Sequence, residues 1–177
     1  TPNEFGTLAA ALLIFGLFSQ ITVLSASAGI IAKKTLSQID LSTAFWFNFF
    51  VQFFLFIGTF FSAPLFSQFF NMPDLTIIVR ILSIKFILSS LSSVQNTILA
   101  RLLKFKTIAL VNALGIFIEV LTGLILVYIF SKGVLGLVYA IIFSELILCF
   151  IWIYLISWMP CFKFDKKSFY YFFNYGI

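Results

Sequence analysis

Five long apolar segments follow one another along the chain, and short polar or charged stretches separate them. They run over about residues 2–31, 41–70, 73–103, 107–130 and 134–158. Each segment exceeds the roughly 20 residues that an α-helix needs to cross the hydrocarbon core of a bilayer. The pattern therefore predicts an all-α fold, a polytopic transmembrane helical bundle with five spans. Residues 159–177 are predicted to form a loop and the start of a further helix.

The third segment is the one around which we expect the others to be organised, because it carries more polar residues than a lipid-facing helix tolerates. Four of its polar side chains fall within about 60° of one another at 100° per residue and form one stripe. They are Lys85, Ser89, Ser92 and Asn96. Arg80 lies one turn or more nearer the start of the segment. We expect the stripe to face protein or a water-filled cavity, since lipid offers it no partners.

The second and fourth segments carry polar stripes of their own. In the second segment, four polar residues share a face about 80° wide, and they are Asn48, Gln52, Thr59 and Ser62. In the fourth, Asn112 and Glu119 lie on roughly the same side as two glycines. Ser37 and Asp40 are both candidates for the N-cap of the second helix, which is expected to begin near Leu41.

The composition excludes a soluble domain. Apolar residues make up 62% of the chain, charged residues make up only 10%, and the mean hydropathy is +1.15. A soluble chain of 177 residues could not keep so much apolar area out of water. The excess of Lys and Arg over Asp and Glu, 11 against 6, lies mainly between the apolar segments, so it indicates membrane topology and no nucleic-acid partner.

No arrangement of residues predicts catalysis or a cofactor. The chain has no histidine, and Cys149 and Cys161 lie about 18 Å apart on a continuous helix, beyond disulfide reach. Neither a nucleophile–base pair nor a phosphate-binding loop is recognisable. We therefore expect no metal site, no redox pair, no cofactor and no enzymatic activity, while coupling to an ion gradient stays open.

The loop charges predict the orientation in the membrane. The loops after the first, third and fifth segments hold eight Lys or Arg residues, whereas those after the second and fourth hold only Lys132. Because basic loops stay in the cytoplasm, the first set is predicted to be cytoplasmic. Thr1 then lies outside, and for a chain with a cytoplasmic N-terminus this implies one further helix before it. We expect the 177 residues to be part of a longer protein.

Three ionisable residues share one depth. Lys85, Glu119 and Glu145 all lie roughly 18 Å from the starts of their helices, near the bilayer midplane. Each would cost on the order of 3 kcal/mol if it faced lipid, so all three must be sheltered. One interpretation is that Lys85 pairs with one glutamate and holds the bundle in register. The interpretation we favour is a charged central cavity for a polar or anionic cargo, because two polar stripes also point inward.

Three stretches give the chain a resemblance to a known family. They are PNEFG at residues 2–6, LSTAFW at 41–46, and SVQ at 93–95 leading to RLLKFK at 101–106. In this order and spacing the chain resembles the polysaccharide-unit flippases (Wzx-type exporters of lipopolysaccharide, O-antigen and capsule units). These belong to the multidrug/oligosaccharidyl-lipid/polysaccharide exporter superfamily. The resemblance spans essentially the whole chain.

The resemblance implies a larger protein with two lobes around a central cavity, of which this chain would be a MATE-like N-terminal lobe lacking its first helix. It implies that an undecaprenyl-diphosphate-linked oligosaccharide is moved across the bacterial inner (plasma) membrane by alternating access. Membrane lipids would surround this multi-pass protein, and a polysaccharide polymerase and glycosyltransferases are candidate partners. Such families offer no catalytic residues to carry over, so the expected site residues come from the helix arithmetic.

Three functions remain distinct at this point. For a flippase, Arg80 and Lys85 would meet the diphosphate, and the amide and hydroxyl stripes would meet the sugars. For a drug or cation antiporter, Glu119 and Glu145 would bind cargo and protons. For a membrane scaffold subunit without transport, all these charges would be internal pairs. The expected path-lining residues are Arg80, Lys85, Ser89, Ser92, Asn96, Asn48, Gln52, Asn112, Glu119 and Glu145.

The predicted orientation can be tested by cysteine labelling in intact cells. Single cysteines replacing Lys33 or Lys104 should not react with a membrane-impermeant thiol reagent, because both loops are predicted to be cytoplasmic. A cysteine replacing Lys132 should react. Labelling at position 33 or 104 before the cells are permeabilised would reverse the orientation.

Overall fold

The computed structural model describes residues 2–23, 27–129 and 133–176. These residues form seven α-helices and no β-strand, which confirms the all-α fold. The helices are α1 (Pro2–Val23), α2 (Ser27–Ala32), α3 (Gln38–Phe70), α4 (Leu75–Arg101), α5 (Phe105–Tyr128), α6 (Gly133–Leu155) and α7 (Lys166–Gly176).

Four of the described helices, α3 to α6, are long and apolar enough to cross a membrane. The apolar stretch described in α1, Glu4–Gln20, is shorter. Together they confirm a polytopic membrane bundle. Within the first predicted segment the structure describes α1 and α2 separately, and residues 24–26 lie outside the described part of the chain. Ser131 and Lys132, which the sequence places in the loop before α6, lie outside it as well.

The start of α3 settles which residue is the N-cap. The Ser37 hydroxyl accepts a hydrogen bond from the backbone N–H of Asp40, and the Asp40 carboxylate accepts one from the N–H of Ser37. This reciprocal pair is a capping box, which satisfies two N–H groups that the first turn leaves free. Ser37 is therefore the cap, Asp40 is its partner, and the helix begins at Gln38, earlier than the expected Leu41.

Helix α4 is the centre of the bundle. It contacts α1, α2, α3, α5 and α6. Its buried residues include Leu75, Leu82, Phe86 and Val94, and small side chains such as Ser90 are buried between them. Because lipid tails are as apolar as leucine, membrane helices gain most from close packing, and small residues allow that approach. The polar residues of α4 are therefore held where neighbouring helices surround them.

Helices α5 and α6 pack closely through glycines of α5. A Cβ atom at Gly115 would lie 2.5 Å from a methyl carbon of Leu148, and one at Gly123 would lie 3.2 Å from a methyl carbon of Leu137. Both glycines are buried, on the side of α5 that the sequence assigned to Glu119. This face of α5 is thus turned towards α6.

Helix α7 packs on α2 and α3 at the basic end of the bundle. The Phe172 ring is fully buried, and it lies directly over Gly29 of α2. A Cβ atom at Gly29 would be 2.6 Å from a ring carbon of Phe172. Real Cβ atoms do not approach other atoms so closely, so only glycine fits beneath this ring.

We predict that Gly29→Ala destabilises the protein by about 1 kcal/mol net, because overpacking costs about 1–3 kcal/mol and exceeds the helix-propensity gain of alanine. Gly58→Ala in α3 is the matched control, because nothing lies within 4 Å of a Cβ atom there. It should leave stability unchanged or raise it. The measurement is the thermal unfolding midpoint of the purified full-length protein in detergent.

A Phe172→Ala background separates the clash from other effects of the substitution. With the ring removed, Gly29→Ala should cost nothing. An equal loss at Gly29 in both backgrounds would contradict the packing we describe.

Candidate functional site

Lys85 of α4 and Glu145 of α6 form an ion pair. The Lys85 Nζ atom lies 3.3 Å from Glu145 Oε2, and the Ser89 hydroxyl donates a 2.9 Å hydrogen bond to Glu145 Oε1. Lys85 Nζ also lies 5.8 Å from the ring centroid of Phe15 in α1. The side chains of Lys85 and Glu145 are 29% and 16% exposed, so the pair is sheltered by three helices but still accessible.

Glu119 has a different environment from Glu145, although the sequence predicts the same depth for both. The Ser144 hydroxyl lies 3.5 Å from Glu119 Oε2, which is a long hydrogen bond. Among the described residues no Lys or Arg forms an ion pair with Glu119. It borders an apolar groove between α1, α5 and α6 that also contains Glu4. The structure therefore selects Glu145 as the partner of Lys85.

Arg80 lies apart from Lys85. Its guanidinium carbon is 5.1 Å from the ring centroid of Phe60 in α3, a cation–π distance. Its Nε atom is buried and has no hydrogen-bond partner among the described residues. Arg80 contacts α3, whereas Lys85 contacts α6 and α1. The two cations therefore lie beside different helices.

The polar stripe of α3 is turned inward, as expected. Asn48, Gln52 and Thr59 are buried, and the Asn48 amide donates a 3.4 Å hydrogen bond to the hydroxyl of Ser93 in α4. Thr59 donates to the carbonyl of Leu55 one turn earlier in its own helix, 2.7 Å away. Asn48 thus joins this stripe to α4, whereas Ser62 at the other end of the stripe is only half-buried.

The remaining predicted residues have mixed environments. Ser92 of α4 is buried and donates to the Ser89 carbonyl, whereas Asn96 is half-buried. Asn112 is exposed on α5, although Gly115 one turn later is buried. The contacts therefore sort the predicted residues into separate groups: Lys85 with Ser89 and Glu145, Arg80 with Phe60, Asn48 with Ser93, and Glu119 with Ser144.

Sequence reasoning missed the partners of these residues. Ser144 carries no sequence signal that sets it apart from the other serines, and Phe15 and Phe60 are two among 26 phenylalanines. Ser93 and Gln95 belong to the SVQ stretch but were not among the expected path-lining residues. The Gln95 Oε1 atom is buried without a hydrogen-bond partner among the described residues. A buried amide oxygen without a partner is costly, so it marks a position that a further polar group would satisfy.

Arg101 organises the basic end of the bundle. Its guanidinium donates hydrogen bonds to the carbonyls of Ile30, Lys33 (2.5 Å) and Lys34 (3.0 Å) at the end of α2. The last carbonyls of a helix have no partner within the helix, and a cation there also interacts well with the helix dipole. The residue that the sequence assigned to a topology signal is thus also the cap of α2.

A second network ties α2, α3 and α7 together. Lys33 Nζ lies 2.6 Å from Asp40 Oδ1, and the Ser168 hydroxyl of α7 lies within hydrogen-bonding distance of both Asp40 and Asp165, between which it shares its one proton. Hydrogen bonds from the N–H and hydroxyl of Ser168 lower the pKa of Asp165 from its ordinary value. The Asp165 carboxylate therefore remains charged at neutral pH and caps the start of α7.

The chemistry available in this arrangement is charge pairing and hydrogen bonding. In the part of the chain that the structure describes, no three His, Cys, Asp or Glu side chains are grouped as metal ligands would be. Lys85 offers three N–H donors and Glu145 offers two acceptor oxygens, so together they can bind groups of either charge.

The comparisons with known proteins agree on one family. A family model described as "Polysaccharide biosynthesis protein" matches residues 1–177. The teichuronic acid biosynthesis protein TuaB of Bacillus subtilis is 27% identical over 171 residues, which cover 90% of this chain and 33% of TuaB. The lipopolysaccharide biosynthesis protein WzxC of Escherichia coli is 24% identical over 110 residues, 62% of this chain and 22% of WzxC. No solved structure matches the chain significantly.

The chain spans about a third of the length of the first of these relatives and about a fifth of the second. The family match nevertheless covers every residue, and both relatives are named for the biosynthesis of a polysaccharide. The resemblance seen in the sequence is therefore confirmed. The chain belongs to the polysaccharide biosynthesis protein family.

Proposed function

We propose that this chain is part of a transporter that moves a lipid-linked oligosaccharide, carried on undecaprenyl diphosphate, across the bacterial inner membrane. The observation that carries the proposal is the accessible Lys85–Glu145 pair between apolar helices of a member of this family. Packing alone does not require a charged pair there, because apolar side chains would fill the same space at no desolvation cost. A transport path does require polar groups between such helices.

The pair suggests how an anionic cargo is handled. A diphosphate that approaches Lys85 would compete with the Glu145 carboxylate for the same ammonium group. The Ser89 hydroxyl, which donates to Glu145 at 2.9 Å, would keep that carboxylate hydrogen-bonded while Lys85 is engaged elsewhere. Lys85 thus has two alternative anionic partners, and exchange between them costs less than exposing an unpaired charge. The role we propose is transport without enzymatic catalysis.

The rest of the protein would complete the path. Membrane helices enclose a substrate cavity between repeats, so the groups described here need further helices to surround the cargo. The polymerase and glycosyltransferases of polysaccharide synthesis are the proposed partners at the membrane. An ion gradient is the proposed energy source, with the ion left open.

Glu119 favours a second candidate function, cation or drug antiport. Its carboxylate has no cationic partner among the described residues and borders an apolar groove, a setting suited to a cationic ligand or a proton. The third function considered, a scaffold whose charges are all internal pairs, receives less support. Both Glu119 and Arg80 lack an ion-pair partner in the described residues.

We predict that Lys85 and Glu145 are energetically coupled whereas Lys85 and Glu119 are not. In the full-length protein, Lys85→Met strands the Glu145 charge and should lower membrane protein level, and Glu145→Gln in the same chain should restore it. The coupling energy should be about 1–3 kcal/mol, as is usual for groups in direct contact. Glu119→Gln is the matched control and should couple by less than about 0.5 kcal/mol, because it does not contact Lys85.

The same variants test transport when surface polysaccharide is scored separately from protein level. If Lys85 binds the cargo, the Lys85→Met, Glu145→Gln double variant should reach a normal protein level and still fail to export. Normal export by this double variant would leave Lys85 with a structural role only. If Glu119→Gln loses export while the Lys85 variants still export normally, the antiporter is favoured instead.

A further inference from the structure

Helix α7 has two chemically different faces. Ser168 and Phe172 are buried against α2 and α3, whereas Lys166, Lys167 and Tyr170 are exposed. At 100° per residue, the exposed residues Lys166, Tyr170 and Phe173 fall within about 60° of one another. The four long apolar helices differ from α7, because the side chains that they expose are mainly apolar. One face of α7 is packed against the protein, and the other exposes lysines and aromatic rings. An exposed face of this composition is typical of a helix at a membrane interface.

The position of α7 along α3 places it at the level of the headgroups. Helix α3 has 33 residues and is therefore about 50 Å long, whereas the hydrocarbon core is about 30 Å thick. About 10 Å of α3 at each end thus lies in the interface. The Asp165 N–H donates a 3.1 Å hydrogen bond to the Thr43 hydroxyl, and the Phe169 ring lies 5.5 Å from that of Phe47. Thr43 lies within about the first 10 Å of α3, and Phe47 lies one turn further along, so α7 runs beside the end of α3 where the interface meets the hydrocarbon core.

The segment before α7 is held on the same end of α3. The Ser42 hydroxyl accepts a 3.0 Å hydrogen bond from the N–H of Cys161, and the Trp46 indole donates to the Cys161 carbonyl at 3.1 Å. This fixes residues 161–165 along α3 and leaves the Phe162 side chain 93% exposed. Phe164 and Lys163 are exposed beside it. Exposed aromatic rings next to basic side chains are common in segments that lie at a membrane interface.

The charge of this surface is mainly positive. Lys163, Lys166 and Lys167 form no ion pair with any described residue. Of the two carboxylates nearby, Asp40 is paired with Lys33, whereas Asp165 accepts hydrogen bonds from Ser168 and keeps its negative charge. The three lysines therefore outnumber the one carboxylate beside them that has no cationic partner among the described residues.

We propose that this surface binds the anionic phospholipid headgroups of the adjoining leaflet, which is the cytoplasmic one on the orientation predicted from the loop charges. We call it the α7 patch and define it by Lys163, Lys166, Lys167, Phe162, Phe164, Tyr170 and Phe173. The lysine ammonium groups contact lipid phosphates, and the aromatic rings lie at the boundary between headgroups and acyl chains. Each lysine near an anionic surface contributes about a fivefold preference over a neutral one.

The test measures which lipids surround α7 in the reconstituted full-length protein. Tyr170→Cys is introduced into a background with Cys149→Ala and Cys161→Ser, and the new cysteine is labelled with bimane. Tyr170 is 64% exposed, so the label faces the surface in question. The protein is reconstituted in phosphatidylcholine vesicles that contain nitroxide-labelled phosphatidylglycerol or, at equal mole fraction, nitroxide-labelled phosphatidylcholine. We expect several-fold stronger quenching by the phosphatidylglycerol.

Two variants with the same net charge distinguish an effect of the α7 patch from an effect of the overall charge of the protein. Replacing Lys163, Lys166 and Lys167 with Gln should remove the preference for phosphatidylglycerol. The control replaces Lys34, Lys104 and Lys106 with Gln, which removes the same charge from exposed positions in the other basic loops. It should keep the preference. Raising the salt concentration from about 0.05 M to about 0.5 M should weaken the preference of the unsubstituted protein for phosphatidylglycerol, because salt screens the lysine charges.

Three results would overturn the proposal. Equal quenching by the two lipids would show that α7 does not select anionic headgroups. An equal loss in the control triple variant would attribute the effect to net charge. Absence of quenching by either lipid would show that protein covers this face.

Discussion

The rest of the structure depends on one constraint, that a polar group within a bilayer must find its partner inside the protein. Helix α4 carries the largest set of such groups, and it is the helix that five others surround. The Asn48–Ser93 bond, the Lys85–Glu145 pair and the inward face of α3 each satisfy one part of this requirement. The arrangement of helices around α4 is thus the arrangement that keeps its polar residues away from lipid.

The constraint is met unevenly, and the exceptions are informative. Gln95 Oε1 and Arg80 Nε are buried without hydrogen bonds among the described residues, and Glu119 has only a long contact to Ser144. Buried polar groups of this kind are expensive, so proteins retain them where function needs them or where another group completes them. They lie in helices of a chain that spans about a third of the length of TuaB. Groups outside the described residues are therefore their expected partners.

The basic end of the bundle solves a different problem, the ends of helices. Arg101 binds the free carbonyls at the end of α2, the Ser37–Asp40 capping box binds free N–H groups of α3, and Asp165 caps α7. Asp40 joins further elements to α3, because it also pairs with Lys33 and accepts a hydrogen bond from Ser168 of α7. This end is the most extensively hydrogen-bonded part of the described chain between elements distant in sequence. It holds α7 in the position from which its lysines reach the headgroups.

The sequence by itself determined the all-α class, the long membrane helices and the inward face of α3. These follow from local periodicity and from rise per residue, which depend only on the order of residues within one helix. Which glutamate pairs with Lys85 was decided by the tertiary structure, because two residues with the same predicted depth differ only in how their helices are rotated and packed. The same reason separates Arg80 from Lys85, leaves Asn112 exposed, and brings Ser168 to Asp40 across 128 residues. Periodicity gives each helix a polar face, but only the packing of helices decides which faces meet.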